Sequence, residues 1–140
     1  MKSRVIAIPV VVASIGLAGC GTTSGRTTGA GNAGVVVSSA AYIAALEGGL
    51  VSRAKGISLS AGDRQRALEA EYRALEAAPG GQPVVWQGRR VQGSVVAAAP
   101  YQVGSQNCRQ YSHTLIAGGR ETVSRGAACR TAAGTWTPLS

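Results

Sequence analysis

The chain has 140 residues, a formal charge of +8 and no phenylalanine. This length allows one small domain with a tether and excludes a large enzyme core. Aromatic residues make up 4% of the sequence and glycine occurs 20 times. The core is therefore expected to be modest and to consist mainly of Val, Leu, Ile and Ala.

The N-terminus has the pattern of a signal peptide. Lys2 and Arg4 precede an apolar run over residues 5–17, which then gives way to small and polar residues. The run is shorter than the roughly 20 apolar residues that a membrane-spanning helix needs. We therefore predict a cleavable signal over residues 1–19.

The end of this segment predicts a lipid anchor. The sequence Leu17-Ala18-Gly19-Cys20 resembles the lipobox of bacterial lipoproteins, which implies a thioether-linked diacylglycerol and an N-acyl chain on Cys20. Two or three acyl chains hold a protein on a bilayer without a transmembrane helix. By analogy with lipoprotein sorting, Gly21 after the cysteine predicts passage to the outer membrane.

Charge gives two open interpretations of the mature surface. Without Lys2 and Arg4, twelve basic and six acidic residues remain, a charge of +6. This excess either keeps a small protein soluble or attracts anionic envelope glycans, lipids or proteins. Export argues against nucleic acid as a partner. The candidate anion-binding residues are Arg89, Arg90, Arg109, Arg120, Arg125 and Arg130.

Three regions are expected after the signal. Residues 20–34 are the lipidated N-terminus and a flexible linker, because they contain little that can be buried. Residues 35–58 form an Ala/Gly-rich helical segment, with Ser38 or Ser39 as its cap and Ile43, Leu46 and Leu50 at helical spacing. Residues 59–140 form the main domain.

A second helix is predicted from residue 61 to residue 77. Ser60 and Asp63 form a capping pattern, and Pro79 with two following glycines ends the helix. Leu68, Tyr72 and Leu75 share its apolar face. The acidic residues of this helix are interpreted as surface charges that solvate it rather than as catalytic carboxylates: Asp63, Glu69, Glu71 and Glu76.

Short extended runs follow the helix and predict an antiparallel meander. They cover residues 84–87, 92–98, 108–116, 121–130 and 135–138. Helices followed by strands indicate an α+β fold, with one or two N-terminal helices packed on a small antiparallel sheet.

The longest hairpin predicts a disulfide. If Gly118-Gly119 is a two-residue turn, Cys108 lies directly opposite Cys129 at a non-hydrogen-bonded position, where Cα atoms are about 4.5 Å apart. With Cys20 taken by lipid, these are the two remaining cysteines. A bulge at Gly126 would shift the register. His113, on the opposite face from Cys108, is interpreted as a sheet-surface residue.

The sequence gives no support to catalysis. It contains one histidine, one aspartate and neither a Cys-x-x-Cys pair nor a nucleophile motif. We therefore expect no enzyme activity, no metal site and no cofactor beyond the covalent lipid.

The chain resembles the bacterial 17 kDa surface antigen family, of rickettsial type, from the lipobox to the C-terminus. The resemblance lies mainly in DRQRALEAEYRALEAAPGGQPVVWQ and in YQVGSQNCRQYSHTLIAGGRETVSRGAACRTAAGTW. It implies that Cys20 carries the lipid and that the following residues are framework positions: Trp86, Tyr101, Cys108, Tyr111, Gly118, Gly119, Cys129 and Trp136. Many relatives have a glycine zipper before the helix.

This chain departs from that zipper, since Arg53 and Lys55 stand where a zipper would be apolar. We therefore favour a helix packed on the domain over one that enters the bilayer. The resulting hypothesis is a noncatalytic outer-membrane lipoprotein with a structural, display or interaction role. The alternative is a binding module for peptidoglycan, lipopolysaccharide or an envelope-assembly protein.

Overall fold

The computed structural model of the protein describes residues 38–139, which form a helical layer on one face of an antiparallel sheet. The predicted α+β class is confirmed. The predicted signal, lipid site and linker lie outside the described residues. In chain order the elements are α1 (Ser39–Ala44), a 3-10 helix (Leu50–Arg53), α2 (Ala61–Glu76), β1 (Pro83–Gln87), β2 (Val91–Ala97), β3 (Tyr101–Val103), β4 (Gln106–Ala117), β5 (Arg120–Arg130) and β6 (Trp136–Pro138).

The long helix α2 begins and ends where its sequence signals predict. The Ser60 hydroxyl accepts a hydrogen bond from the Asp63 backbone N–H, which caps the first turn. The helix ends at Glu76, three residues before Pro79. Its inward face packs against β1 and β2. The buried apolar residues of this face are Ala67, Leu68, Ala70, Ala74 and Leu75.

The first helical segment is shorter than predicted. Ser38 caps α1, as expected, but the chain then turns at Glu47, Gly48 and Gly49, all of which have positive φ angles. A left-handed backbone is incompatible with a continuing helix and is favoured by glycine. After the turn, Leu50 and Val51 enter the core on the 3-10 helix. This segment therefore packs against α2 and the sheet.

The β4–β5 hairpin has the predicted register. Gly118 and Gly119 form its two-residue turn with φ angles of +57° and +74°, and Cys108 pairs directly with Cys129. The Cα atoms of the two cysteines are 4.0 Å apart and their sulfurs form a disulfide. The predicted bridge is confirmed, and Gly126 pairs with Tyr111 in unbroken register rather than forming a bulge.

The remaining strands extend this hairpin on both sides. The sheet order is β1-β2-β4-β5-β6, and β3, which the sequence did not predict, pairs with the first residues of β4. One face of the sheet carries Trp86, Val95 and Leu115 into the core under the helices. The other face carries the partly exposed Ile116 and Val123, and no helix in residues 38–139 covers it.

Removing the disulfide should destabilise the fold substantially. Replacing both Cys108 and Cys129 with serine is expected to lower the free energy of unfolding by about 3 kcal/mol, because the bridge closes a loop of about 20 residues in the unfolded chain. Urea unfolding of the double variant and of the chemically reduced protein measures this loss. A loss below about 1 kcal/mol in both would contradict the prediction.

Candidate functional site

A carboxylate, an imidazole and an indole form a hydrogen-bonded chain inside the domain. Glu71 on α2 accepts a 2.7 Å hydrogen bond from Nδ1 of His113 on β4, and Trp86 on β1 donates its indole N–H to Nε2 of His113 over 2.9 Å. The backbone N–H groups of Leu50 and Val51 donate to the same carboxylate, each at 2.9 Å. The network thus joins the 3-10 helix, α2 and two strands.

Trp86 fixes which nitrogen of His113 carries the proton. An indole N–H can only donate, so Nε2 of His113 must be unprotonated, and the proton of the neutral imidazole lies on Nδ1. That N–H points at Glu71. The carboxylate therefore accepts three N–H hydrogen bonds, which compensate for its removal from water.

The surroundings of Glu71 leave no room for a ligand. The Glu71 and His113 side chains are 0% and 1% exposed. A Cβ on Gly49 would overlap the Glu71 carboxylate, so only glycine fits beside it. The Tyr111 hydroxyl is also buried nearby and has no hydrogen-bond partner within residues 38–139. Burial, with a contribution from the Glu71 charge, raises the pKa of the Tyr111 phenol.

The network therefore has a structural role, because it holds the 3-10 helix, α2 and two strands together. A catalytic imidazole needs one nitrogen facing a nucleophile or substrate, but here Trp86 occupies Nε2 and Glu71 occupies Nδ1. The sequence interpretation of Glu71 as a solvating charge and of His113 as a surface residue was wrong. Glu71 lies three residues after Leu68 and four before Leu75, on the buried face of α2.

Two more acidic residues of α2 make specific contacts instead of serving as general surface charge. Glu76 accepts hydrogen bonds from the Arg130 guanidinium at 2.9 Å and from the Trp136 indole at 2.8 Å, which ties the end of α2 to the end of the sheet. Asp63 is 5% exposed. Glu69 is exposed, as predicted, and pairs with Gln65 on its own helix.

Asp63 joins the start of α2 to the β1–β2 connection. It accepts hydrogen bonds from the Ser60 hydroxyl at 2.8 Å, the Arg66 guanidinium at 2.9 Å and the Arg89 backbone N–H at 3.3 Å. The Ser60 hydrogen bond, aided by Arg89 and Arg66, holds the pKa of Asp63 below its ordinary value of 3.8.

This lowered pKa predicts an acid-dependent loss of stability. The contribution of ionised Asp63 is present above pH 3.8 and is lost as the pH falls through the folded-state pKa. The free energy of unfolding, measured from pH 6 to pH 2, should fall more for the wild type than for Asp63→Asn. Parallel curves for the two proteins would contradict this assignment.

Three of the six candidate anion-binding arginines lie at one end of the sheet. Arg89 and Arg90 occupy the β1–β2 connection and Arg120 begins β5, beside the neighbouring hairpin turn. Arg89 and Arg90 line a surface cleft with Gly56 and Gly118, and a Cβ on Gly56 would lie 3.1 Å from the Arg120 guanidinium. None of these guanidinium groups has a carboxylate partner within residues 38–139.

The other three candidates lie elsewhere. Arg125 is exposed in the middle of β5, and Arg130 pairs with Glu76. Arg109 is 5% exposed and donates to backbone carbonyls at the end of α2 and after β2. Of the six candidates, Arg89, Arg90 and Arg120 thus lie together at the turns, and the other three lie apart from them.

Comparison with known proteins identifies the C-terminal part of the chain. Residues 73–137 match the family model described as "17 kDa outer membrane surface antigen". This C-terminal segment is therefore similar to that family. The "17 kDa surface antigen" of Rickettsia bellii is 36% identical over 84 residues, which cover 58% of this chain and 53% of that protein.

Other rickettsial antigens give similar matches. The "17 kDa surface antigen" of Rickettsia felis is 36% identical over 77 residues, covering 53% of this chain and 48% of its own length. That of Rickettsia prowazekii is 35% identical over 77 residues, with the same coverage. The chain thus spans about half the length of the curated relatives it matches. No solved structure matches the chain.

The residues that carried the surface-antigen resemblance have clear positions in the fold. Trp86, Tyr111 and Trp136 are buried in the core, whereas Tyr101 on β3 is 38% exposed. The two glycines form the hairpin turn and the two cysteines form the bridge. Most of these framework positions therefore stabilise the sheet.

Arg109, within the surface-antigen segment, has a role that differs from the anion-binding one expected from sequence. Its guanidinium donates to the carbonyls of Ala74 at 3.0 Å, Leu75 at 2.9 Å, Ala78 at 2.9 Å and Ala98 at 2.8 Å. These bonds use four of its five N–H groups. Burial lowers the pKa of this guanidinium. Arg109 is thus a cap for the end of α2 and not part of an exposed basic surface.

Within residues 38–139, no group of three side chains is arranged to hold a metal ion. The helices of this region are also too short or too polar to cross a bilayer. The predicted lipid site, Cys20, lies outside the described residues.

Proposed function

We propose that this protein is a noncatalytic lipoprotein of the bacterial outer membrane, anchored through acyl chains on Cys20 and carrying a disulfide-bonded domain with a structural, display or interaction role. The observation that carries this proposal is the pairing of two of the three cysteines. Cys108 and Cys129 pair with each other, which fits an oxidising compartment outside the cytoplasm. Cys20 remains, and it ends a sequence that resembles a lipobox.

Two further observations support the proposal. The family description and the names of the rickettsial relatives speak of an outer membrane surface antigen. The one histidine and the one aspartate of the chain are both buried and engaged in contacts on separate parts of the fold. An acid–base or nucleophilic mechanism would need such groups together and accessible to substrate.

Intact mass spectrometry of the full chain, produced in a Gram-negative host, tests the anchor. A membrane-fraction protein that begins at Cys20 and carries acyl chains is expected, and reduction should add about two hydrogens. Cys20→Ser should lack the lipid mass. This variant should either remain unprocessed, with Met1 intact, or be cleaved and leave the membrane pellet. Wild-type protein with Met1 intact and no lipid would overturn the proposal.

A second candidate function is binding of an anionic envelope component at the turn end of the sheet. Arg89, Arg90 and Arg120 are exposed there, come from two connections and lack carboxylate partners within residues 38–139. Arginine guanidinium groups match the planar, bidentate geometry of phosphate and carboxylate oxygens. Lipopolysaccharide phosphates and peptidoglycan carboxylates both offer this chemistry.

Binding of full-length protein to lipopolysaccharide vesicles and to isolated peptidoglycan separates these ligands. Changing Arg89, Arg90 and Arg120 together to glutamate should abolish saturable binding to one of them and remove its salt dependence. A matched variant with the exposed Arg53, Arg64 and Arg73 changed to glutamate has the same net charge. Equal loss in both variants would show that only total charge matters.

A further inference from the structure

The outer edge of β5 has unpaired main-chain groups. In the β4–β5 ladder, Glu121 and Val123 occupy non-hydrogen-bonded positions, as does Arg125, so their N–H and C=O groups point away from β4. Farther along the same edge, Leu139 donates to the outward carbonyl of Ala127, and β6 pairs only from residue 128 onward. Over residues 121–125, no described strand accepts or donates these bonds.

This edge has neither a proline nor a bulge, two features that commonly prevent strand addition. Residues 120–127 contain no proline, and β5 keeps unbroken register with β4 along this stretch. Native edges are commonly protected by proline, bulges or a covering element. The side chain of Val123 is 37% exposed at the centre of the open stretch.

We propose that this edge pairs with the same edge of a second copy of the chain, so that two sheets join across a two-fold axis at Val123. Antiparallel pairing of β5 with its copy must place outward-facing residues opposite one another. The register centred on Val123 does so, and it sets Glu121 opposite Arg125 of the second copy, and Arg125 opposite its Glu121. The surface is thus complementary to itself in charge, as a two-fold interface requires.

Other registers of this pairing lose the charge match. Centring the pair on Glu121 or on Arg125 brings like charges together, which destabilises directly opposed positions. The Val123 register also sets Thr122 opposite Ser124 on the other face. The three outward residues of each copy would form roughly six main-chain hydrogen bonds. The five residues 121–125 lie between the hairpin turn and Ala127, whose outward carbonyl is already bonded to Leu139.

Cross-linking in membranes tests the register. In full-length protein, Val123→Cys should form a dimer with a short bis-maleimide, while Glu121→Cys and Arg125→Cys should each cross-link poorly alone and efficiently when co-expressed. Wild-type protein controls for its own cysteines. Val85→Cys, 70% exposed on the opposite edge strand, is the matched control. Cross-linking of Val123→Cys at or below the Val85→Cys level would overturn the proposal.

Charge exchange provides a second, independent test. Glu121→Arg and Arg125→Glu should each weaken self-association of the full chain at least about tenfold, because each places like charges opposite one another twice. The double variant with both changes restores opposite charges and should recover wild-type association. The proposal fails if the double variant remains as weak as the single variants, or if sedimentation shows wild-type monomer alone.

An edge covered from within the same chain would give a different result. Residues 35–37, three consecutive valines, precede the described region and have high strand propensity. If they occupied the β5 edge, Val123→Cys would be protected from maleimide and would not cross-link. That outcome also overturns pairing between copies.

Discussion

Replacing Glu71 with alanine is expected to lower the free energy of unfolding by about 3–5 kcal/mol. The change removes the shared acceptor of three buried donors and leaves the His113 Nδ1–H and two backbone N–H groups without partners. Breaking a buried charged interaction from one side typically has a cost of this size. Urea unfolding at neutral pH, followed by tryptophan fluorescence, measures the loss.

The closest control for Glu71 lies on the same helix. Glu69 is exposed and bonds only to Gln65 in the described residues, so Glu69→Ala should change stability by less than about 0.5 kcal/mol. Glu71→Gln separates charge from size, since an amide offers one acceptor atom and turns its NH₂ group toward a donor. It should fall between wild type and Glu71→Ala. A cost below about 1 kcal/mol for Glu71→Ala would show that the network adds little.

The network also explains how the N-terminal segment is held. Leu50 and Val51 bring their side chains into the core and their N–H groups to Glu71. Gly49 permits this approach, because any side chain there would meet the carboxylate. The N-terminal helical segment is thus held against the domain by one buried carboxylate and one glycine. Its charged residues Arg53 and Lys55 then remain exposed.

Local signals in the sequence were sufficient for the hairpin, the bridge and α2. A two-residue glycine turn fixes the pairing of every residue in β4 and β5, so the position of Cys108 determines that of Cys129. The Ser60 cap and Pro79 bound α2 in the same local way. The short β3 was missed because three residues with exposed side chains, Tyr101 to Val103, have no pattern apart from their pairing with β4.

Tertiary contacts explain why Glu71 and His113, which the sequence interpretation placed at the surface, are buried. His113 alternates with Tyr111 and Leu115 on β4, so its position predicts the core face, but its polarity suggested solvent. Glu71 likewise has an apolar helical position and a charged side chain. Each is tolerated because its hydrogen bonds are satisfied. His113 bonds to Glu71 and Trp86, and Glu71 also accepts from the N–H groups of Leu50 and Val51. The two partners are 42 residues apart in the sequence, so neither residue alone indicates that the other lies beside it.

Arg109→Ala is expected to lower the free energy of unfolding by about 4 kcal/mol. The last carbonyls of a helix have no partner within it, and two of those at the end of α2, on Ala74 and Leu75, are bonded by the buried Arg109 guanidinium. The positive charge of Arg109 also interacts favourably with the negative end of the α2 helix dipole. Losing two buried charged hydrogen bonds accounts for a cost of this order.

The matched variants for Arg109 test whether geometry or charge matters. Arg109→Lys keeps the charge but replaces the planar fork with a single ammonium, which cannot reach carbonyls on both sides of the helix end and Ala98 together. It should recover less than half of the loss. Arg125→Ala, an exposed arginine on the neighbouring strand, should cost under about 0.5 kcal/mol. If Arg109→Lys matched the wild type in urea unfolding, the charge alone would hold α2 to the sheet.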